Sequence, residues 1–361
     1  MKEKIIWIDV LRVLAMFLVV VGHGIYTSGD TFFGEYGFEN ESGEYSFSYR
    51  IISVLVAFIY SFHMPLFMAC SGACFSFAFG KKSIKEVVLS KVKRLLVPFF
   101  YTALLLSIPV RIAIGYYEVH DNNLLYAFAH HFVFPIEIHL WFLLSLFLIF
   151  PLFCLIYPLH KRSKLLFWAV LVLLSYWGNV NTYPLSGFLG IPMALKHLLW
   201  FSVGFFAFKS LKNHNPKWQI LIGSIILQFC GFMIWVKFLE PMGHSYWFCL
   251  ILALWGCYNT AALCILLSRF PAIINSKAYN TLLKYNFQIY LYSDPFNYIF
   301  LIGLFSIGAI DFFGNSVHTA IVTVLRITVG IVFGILIAKL VEHLPKISEC
   351  LPKNILNKKA S

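Results

Sequence analysis

The stretch IDVLRVLAMFLVVVGH, from Ile8 to His23, belongs to the first apolar segment of the chain and carries three ionisable side chains, Asp9, Arg12 and His23. At about 100° of rotation and 1.5 Å of rise per residue, the three side chains share one helix face and spread over about 20 Å of its length. Ionisable groups are costly inside a lipid bilayer and mark functional sites there. We therefore predict that this face of the first helix lines a polar site or path within a membrane protein.

The composition of the 361-residue chain predicts an all-α, polytopic integral membrane protein. Its residues are 60% hydrophobic and only 12% charged, whereas soluble domains are about 25% charged. Residues 1–345 are assigned to one membrane domain and 346–361 to a cytoplasmic C-terminal tail. Ten apolar segments are candidates for membrane helices: about 5–26, 51–79, 95–115, 139–158, 165–178, 190–208, 218–238, 247–268, 285–305 and 317–340.

Lysine and arginine are distributed asymmetrically between the two sides of this ten-helix arrangement. With the N-terminus in the cytoplasm, all but six of the 28 Lys and Arg residues fall on the cytoplasmic side, as the positive-inside rule requires. Both termini are therefore predicted to be cytoplasmic. The net charge of +12 is explained by contact with the bilayer, so no nucleic-acid partner is expected.

No signature of a soluble enzyme occurs in the sequence. A Gly-x-Ser-x-Gly elbow, a His-Glu-x-x-His pair and a phosphate-binding loop are all lacking. Cys70 and Cys74 are one helical turn apart, but no histidine or second cysteine pair completes a zinc site, so no metal is predicted. Gly72, after Ser71, is expected to permit close helix packing. Asp294 could pair with Arg326, because both are costly in lipid and should face the bundle interior.

The first segment also resembles the first-helix signature of the acyltransferase-3 family of integral membrane acyltransferases, in which Arg and His are separated by ten residues. Four more blocks follow in the family's order: FHMPLFMACSGACF from Phe62, KVKRLLVPFF from Lys91, HLWFLLSLFLIF from His139 and YNFQIYLYSDP from Tyr285. The Glu-rich extension and the soluble hydrolase-like domain of large O-antigen acetylases are not seen. The resemblance therefore favours a compact branch, similar to exopolysaccharide or fucose O-acetyltransferases and glucan succinyltransferases.

The resemblance implies transfer of an acyl group, acetyl or alternatively succinyl, from acyl-CoA to a hydroxyl of a cell-surface carbohydrate at the bacterial plasma membrane. Acyl-CoA is a co-substrate, and no bound cofactor is expected. His23 would act as a base or as a transient acyl carrier. Arg12 would orient the thioester carbonyl or a donor phosphate, while Asp9 holds Arg12 in place.

Five further residues are predicted to contact substrates. His63 lies two residues before Pro65, and a proline in a membrane helix frees backbone groups that can line a cavity. Lys91 and Arg94 stand at the cytoplasmic mouth, where CoA phosphates would arrive, although the positive-inside rule alone also explains them. His139 and Trp141 begin the fourth helix at the outer face, where interfacial anchoring is the alternative.

A function of another class also fits the polar face of the first helix. A transporter of a small acid or a glycan precursor could use this face as a permeation path, although we see no inverted repeat of the kind that many transporters contain. The sequence indicates neither the acceptor nor the oligomeric state.

Overall fold

The computed structural model of the protein describes residues 5–26, 45–81, 83–117, 123–135, 138–180, 187–211, 213–239, 245–308 and 314–343. Within these ranges the chain is almost entirely helical and has no β-strand. The predicted tail, 346–361, lies outside the described residues. Three short helical turns lie at Phe188–Gly190, Trp235–Leu239 and Pro271–Ile274. The other helices are α1 (Ile6–Tyr26), α2 (Phe47–Tyr60), α3 (His63–Ser76), α4 (Ile84–Ala113), α5 (Leu124–Phe132), α6 (Trp141–Arg162), α7 (Lys164–Val180), α8 (Ile191–Leu211), α9 (Trp218–Ile234), α10 (Ser245–Leu267), α11 (Lys277–Lys284), α12 (Asn286–Ser306) and α13 (Ser316–His343).

Each of the ten predicted apolar segments contains helix, and the second of them is divided into α2 and α3. In the described part of the chain, eight helical stretches are long and apolar enough to cross a membrane. The remaining two segments are α7, which has only 17 residues, and α12, which carries Asp294 and Asn297 among its apolar residues. The protein is thus an all-α, polytopic membrane protein, as predicted. The number of crossings and the cytoplasmic position of both termini stay predictions.

Two prolines reshape α4 without ending it. The π-helical turns Val92–Leu96 and Ala103–Ser107 come immediately before the helical segments that contain Pro98 and Pro109. Proline has no N–H with which to continue the hydrogen-bond ladder, and a helix can absorb the interruption by widening one turn. As a result the predicted cytoplasmic mouth lies on a widened turn of a continuous helix.

Helices α3 and α8 cross at glycines, which lets their backbones touch. A Cβ atom on Gly72 would lie 1.9 Å from the carbonyl oxygen of Phe201, and one on Gly204 would lie 1.8 Å from that of Ala69. No larger residue fits either position without separating the helices. The Ser71 hydroxyl meanwhile donates a hydrogen bond to a carbonyl of its own helix. The prediction that Gly72 serves helix packing is confirmed.

Helix α1 packs between α12 and α13. The side-chain amide of Asn286, at the start of α12, donates a 2.8 Å hydrogen bond to the main-chain carbonyl of Arg12. At the other end of α1, Gly24 packs against Ile327 of α13. These contacts bring His23 of α1 beside Asp294, the acidic residue within α12.

Candidate functional site

The ionisable face of α1 is divided between the two ends of the helix. Nη1 of Arg12 donates a hydrogen bond to Oδ1 of Asp9 at 3.2 Å, and the Arg12 side chain is 42% exposed. His23 lies eleven residues further along, about 16 Å up the helix axis. Asp9 and Arg12 therefore form one pair, as expected, while His23 belongs to a separate group.

His23 meets two residues from distant parts of the chain. Nδ1 of His23 lies 3.3 Å from Oδ1 of Asp294, and Nδ1 of His139 lies 3.0 Å from Oδ2 of the same carboxyl group. The two imidazole rings are edge to face, with centroids 6.2 Å apart. The side chain of His23 is 18% exposed, against 4% for Asp294 and 1% for His139. We call these three residues the histidine–aspartate cluster, and His23 is its accessible member.

The contacts of His139 fix where its protons are. Nε2 of His139 lies 3.1 Å from the carbonyl oxygen of Leu291, which can only accept, so Nε2 is the donor. Its Nδ1 faces the carboxyl group of Asp294, and an ionised carboxylate also only accepts. His139 and Asp294 therefore share one extra proton, either as an imidazolium and a carboxylate or as two neutral groups. The hydroxyl of Tyr290 also donates to the main-chain carbonyl of His139, so the whole residue is held in place.

His63 is buried at the break between α2 and α3. Its Nδ1 lies 3.2 Å from the carbonyl oxygen of Ile59, so Nδ1 carries the proton and the lone pair is on Nε2. The ring packs on Tyr60, with centroids 4.4 Å apart. His63 also interacts electrostatically with His23. Its side chain thus lies on the same side of the bundle as the histidine–aspartate cluster.

Trp141, two residues after His139, covers a histidine that the sequence patterns did not assign to a site. Its indole stacks on the ring of His197 from α8, with centroids 5.5 Å apart. His197 is buried and interacts electrostatically with His63. Helices α3 and α8 therefore bring two further imidazole rings, those of His63 and His197, towards the cluster.

Two buried arginines belong to the same region. The guanidinium of Arg111 lies over the ring of Tyr116, at 4.2 Å, and that of Tyr298, at 5.3 Å. Arg326 is completely buried, and both arginines interact electrostatically with Asp294. The predicted pairing of Asp294 with Arg326 stays a prediction, and the carboxyl oxygens of Asp294 contact the two histidines of the cluster.

The predicted donor site lies at the Arg12 end of α1. The ammonium of Lys91 lies 3.6 Å from the centre of the Phe150 ring, and Arg94 is exposed on the first π turn of α4. The thiol of Cys74 lies within electrostatic range of Asp9, Arg12 and Lys91. The predicted contacts to CoA stay predictions.

Burial alone does not mark a histidine as functional, as His131 in α5 illustrates. Its Nδ1 donates to the carbonyl oxygen of Ala127 at 2.9 Å, and the Ser107 hydroxyl lies 3.0 Å from its Nε2. Burial, followed by the charge of Arg111, lowers the pKa of His131 to about 2. His131 is thus a neutral, fully hydrogen-bonded structural residue.

Among the residues that the structure describes, no group of three or more His, Cys, Asp or Glu side chains could hold a metal ion. Cys70 and Cys74 are free thiols.

The comparison with known families fits this arrangement. Residues 5–341 match the profile of the acyltransferase-3 family, described as an acyltransferase domain. Neither the curated proteins nor the solved structures yielded a match. Because the profile covers nearly the whole chain, the chain belongs to the acyltransferase-3 family of integral membrane acyltransferases.

Proposed function

We propose that this enzyme transfers an acyl group, acetyl in the first instance, from acyl-CoA to a hydroxyl of a cell-surface carbohydrate at the bacterial plasma membrane. The observation that carries the proposal is the pairing of His23 with Asp294. A carboxylate that holds one nitrogen of an accessible histidine fixes the tautomer and orients the other nitrogen to act as a general base. Hydroxyl groups need such a base to become effective nucleophiles.

The chemistry follows from the orientation of His23. Its Nδ1 faces Asp294, so Nε2 takes the proton of the acceptor hydroxyl. The hydroxyl oxygen then bonds to the carbonyl carbon of the thioester. When the tetrahedral intermediate collapses, the CoA sulfur leaves and receives the proton from His23. The alternative, in which Nε2 itself carries the acyl group for part of the cycle, uses the same geometry.

His139 acts through Asp294 in this proposal. Both of its nitrogens contact protein groups, Leu291 and Asp294, and its side chain is 1% exposed. His139 is therefore a positioning residue, which holds the carboxyl group in line with His23. His63 and Trp141, beside the cluster, are proposed to contact the acceptor.

The donor enters at the opposite end of α1. Arg12, held by Asp9, orients the thioester or a phosphate, and the exposed guanidinium of Arg94 supplies a phosphate contact, with Lys91 alongside. The separation of about 16 Å between Arg12 and His23 requires the acyl-bearing arm of CoA to extend along α1. A polar face on this helix suits that path.

The direct test is the mass of the surface polysaccharide in cells with and without the protein. Loss of acyl groups in the deletion strain, restored by the wild-type gene and not by His23→Ala, is the expected result. Arg12→Lys should also fail, because a lysine lacks the planar fork that binds two oxygen atoms. His214→Ala is the matched control, since His214 bonds only the exposed Tyr258 among the contacts described for it. Normal acylation with His23→Ala would contradict the proposal.

A further inference from the structure

The route from Arg12 to His23 crosses a band of apolar side chains. Met16 and Val19 occupy the face of α1 between these two residues, within about 40° of Arg12 around the helix axis. Both side chains are buried. In the proposed transfer, an acyl group that enters beside Arg12 must therefore pass apolar side chains before it reaches the base.

Four helices contribute to this band just before the histidine–aspartate cluster. Each supplies one apolar or aromatic side chain, about one helical turn from a polar residue of the site: Val19 before His23, Phe67 after His63, Phe142 after His139 and Tyr290 before Asp294. Residues at this spacing lie on the same side of a helix. We call Val19, Phe67, Phe142 and Tyr290 the apolar layer.

The apolar layer separates the two ends of the site. Asn286, at the start of α12, bonds the main-chain carbonyl of Arg12. Asp294, further along the same helix, contacts His23, and Tyr290 lies halfway between Asn286 and Asp294 in the sequence. An acyl group that travels from the donor end to the cluster therefore crosses the layer.

Phe67 has the corresponding position on α3. It lies between His63, which is within electrostatic range of His23, and Cys74, which is within electrostatic range of Arg12. The side chain of Phe67 is partly exposed, whereas the other three members of the layer are buried. Phe67 is therefore the member that can turn aside without unpacking the core.

The three rings of the layer pack closely against one another. The ring of Phe67 is edge to face with that of Phe142, with centroids 4.6 Å apart, and lies 6.1 Å from the ring of Tyr290. The rings of Phe142 and Tyr290 are 5.7 Å apart, and Val19 is buried in the same hydrophobic cluster. Because the Tyr290 hydroxyl donates to the main-chain carbonyl of His139, its ring presents hydrocarbon to the layer.

We propose that Phe67 is a specificity-determining residue, whose ring limits the acyl groups that reach His23 to short, uncharged ones such as acetyl. This inference rests on the proposed acyl transfer from CoA. A turn of the Phe67 side chain opens a narrow gap beside Phe142, through which the acyl group passes. A longer chain needs a wider gap, which the buried members of the layer do not supply. A charged acyl group such as succinyl would lose its hydration within the layer without gaining a partner there, which costs free energy.

Butyryl-CoA and succinyl-CoA separate size from charge, because their acyl chains have the same number of carbon atoms and only succinyl carries a free carboxylate. The assay is release of free CoA by the purified protein, with surface polysaccharide from the deletion strain as the acceptor. For the wild type we expect kcat/KM to be highest with acetyl-CoA, about tenfold or more lower with butyryl-CoA, and lower still with succinyl-CoA.

Phe67→Ala should raise kcat/KM for butyryl-CoA relative to acetyl-CoA by about tenfold or more, because the missing ring widens the gap. Phe67→Leu keeps more of the packing and should shift the preference in the same direction. The leucine variant decides the test if the alanine variant does not fold. Since the layer stays apolar in both variants, succinyl-CoA should remain a poor donor.

Phe206→Ala is the matched control. Phe206 is also a partly exposed phenylalanine, but it lies outside the layer and packs on His160, with centroids 4.3 Å apart. Its replacement should leave the preference among the donors unchanged, and a shift as large as that of Phe67→Ala would overturn the inference.

Two further outcomes distinguish this inference from the proposed function. A wild type that releases no CoA with any of the three donors contradicts the proposed function itself. With an active wild type, transfer of butyryl or succinyl as fast as acetyl would overturn the role of Phe67. An unchanged preference in the folded Phe67 variants would overturn it equally.

Discussion

Replacement of Asp294 by asparagine separates the charge of the cluster from its geometry. The Oδ1 position that contacts His23 can remain an oxygen, and the Oδ2 position that faces His139 becomes an NH₂ group. Because Nε2 of His139 already donates to Leu291, neutral His139 has a lone pair on Nδ1 that accepts from the new amide. The variant therefore keeps both contacts and the tautomer of His23, and loses only charge.

The size of the effect depends on the shared proton. At an effective dielectric constant of about 20, a carboxylate 3.3 Å from the ring nitrogen stabilises a positive His23 by about 5 kcal/mol. A protonated His139, with its ring centre 6.2 Å away, opposes this by about 3 kcal/mol. The net stabilisation is about 2 kcal/mol, or roughly thirtyfold in rate. If His139 were neutral beside an ionised Asp294, Asp294→Asn would lower the rate by several thousandfold.

Steady-state kinetics of purified Asp294→Asn protein, with CoA release as the readout, measure this difference. We expect kcat of Asp294→Asn to fall by roughly ten- to a hundredfold. Asp294→Ala also removes the contacts to the rings of His23 and His139, so its kcat should fall much further. A loss of several thousandfold in Asp294→Asn would refute the shared proton on His139. A change of less than about threefold would refute the stabilisation of a positive His23 by an ionised Asp294.

Three other predictions test the topology, the donor and the packing. A reporter fused at Lys164 should be cytoplasmic and one at Asn123 external, and the reverse result would invert the orientation drawn from the lysines and arginines. Calorimetry should detect CoA binding that weakens as the salt concentration rises, because salt screens exposed phosphate contacts. Arg94→Glu should weaken the binding further, since it reverses a charge that faces the phosphates. An absence of CoA binding would favour the transporter. Gly72→Ala should lower the free energy of unfolding by about 3 kcal/mol or more, because the added methyl group overpacks against the Phe201 carbonyl. Gly223→Ala is the control, since its methyl group would meet nothing within 4 Å. It should leave the free energy of unfolding unchanged or raise it by up to about 1 kcal/mol. Equal melting temperatures for the two glycine variants would contradict the tight crossing.

The membrane class and the family were accessible from the sequence because both depend on local patterns. Apolar runs long enough to cross a bilayer are visible residue by residue, and the Arg12 to His23 spacing lies within one helix. The pairing of Asp9 with Arg12 is of the same kind, since residues three apart on a helix are neighbours. Asp294 was also noticeable as a charge in an apolar segment, although its contacts with His23 and His139 were not.

The partners of Asp294 were decided by tertiary structure. Residues His23, His139 and Asp294 are separated by more than a hundred positions at each step, and no periodicity relates one helix to another across such distances. The glycine crossing of α3 and α8 and the packing of α1 between α12 and α13 set which faces meet. The neighbours of His197, which are Trp141 and His63, could not be predicted for the same reason.

The sequence alone determined a helical membrane protein of the acyltransferase-3 type, with a basic side and an ionisable face on its first helix, because hydrophobicity, charge and helical spacing are properties of contiguous residues. Only the tertiary structure divided that face into an Asp9–Arg12 pair at one end and a base held by Asp294 at the other. The physical reason is that an ionisable group in a low-dielectric interior is stabilised by the charges and hydrogen bonds that surround it. Those surroundings come from helices that are distant in the chain and adjacent in space.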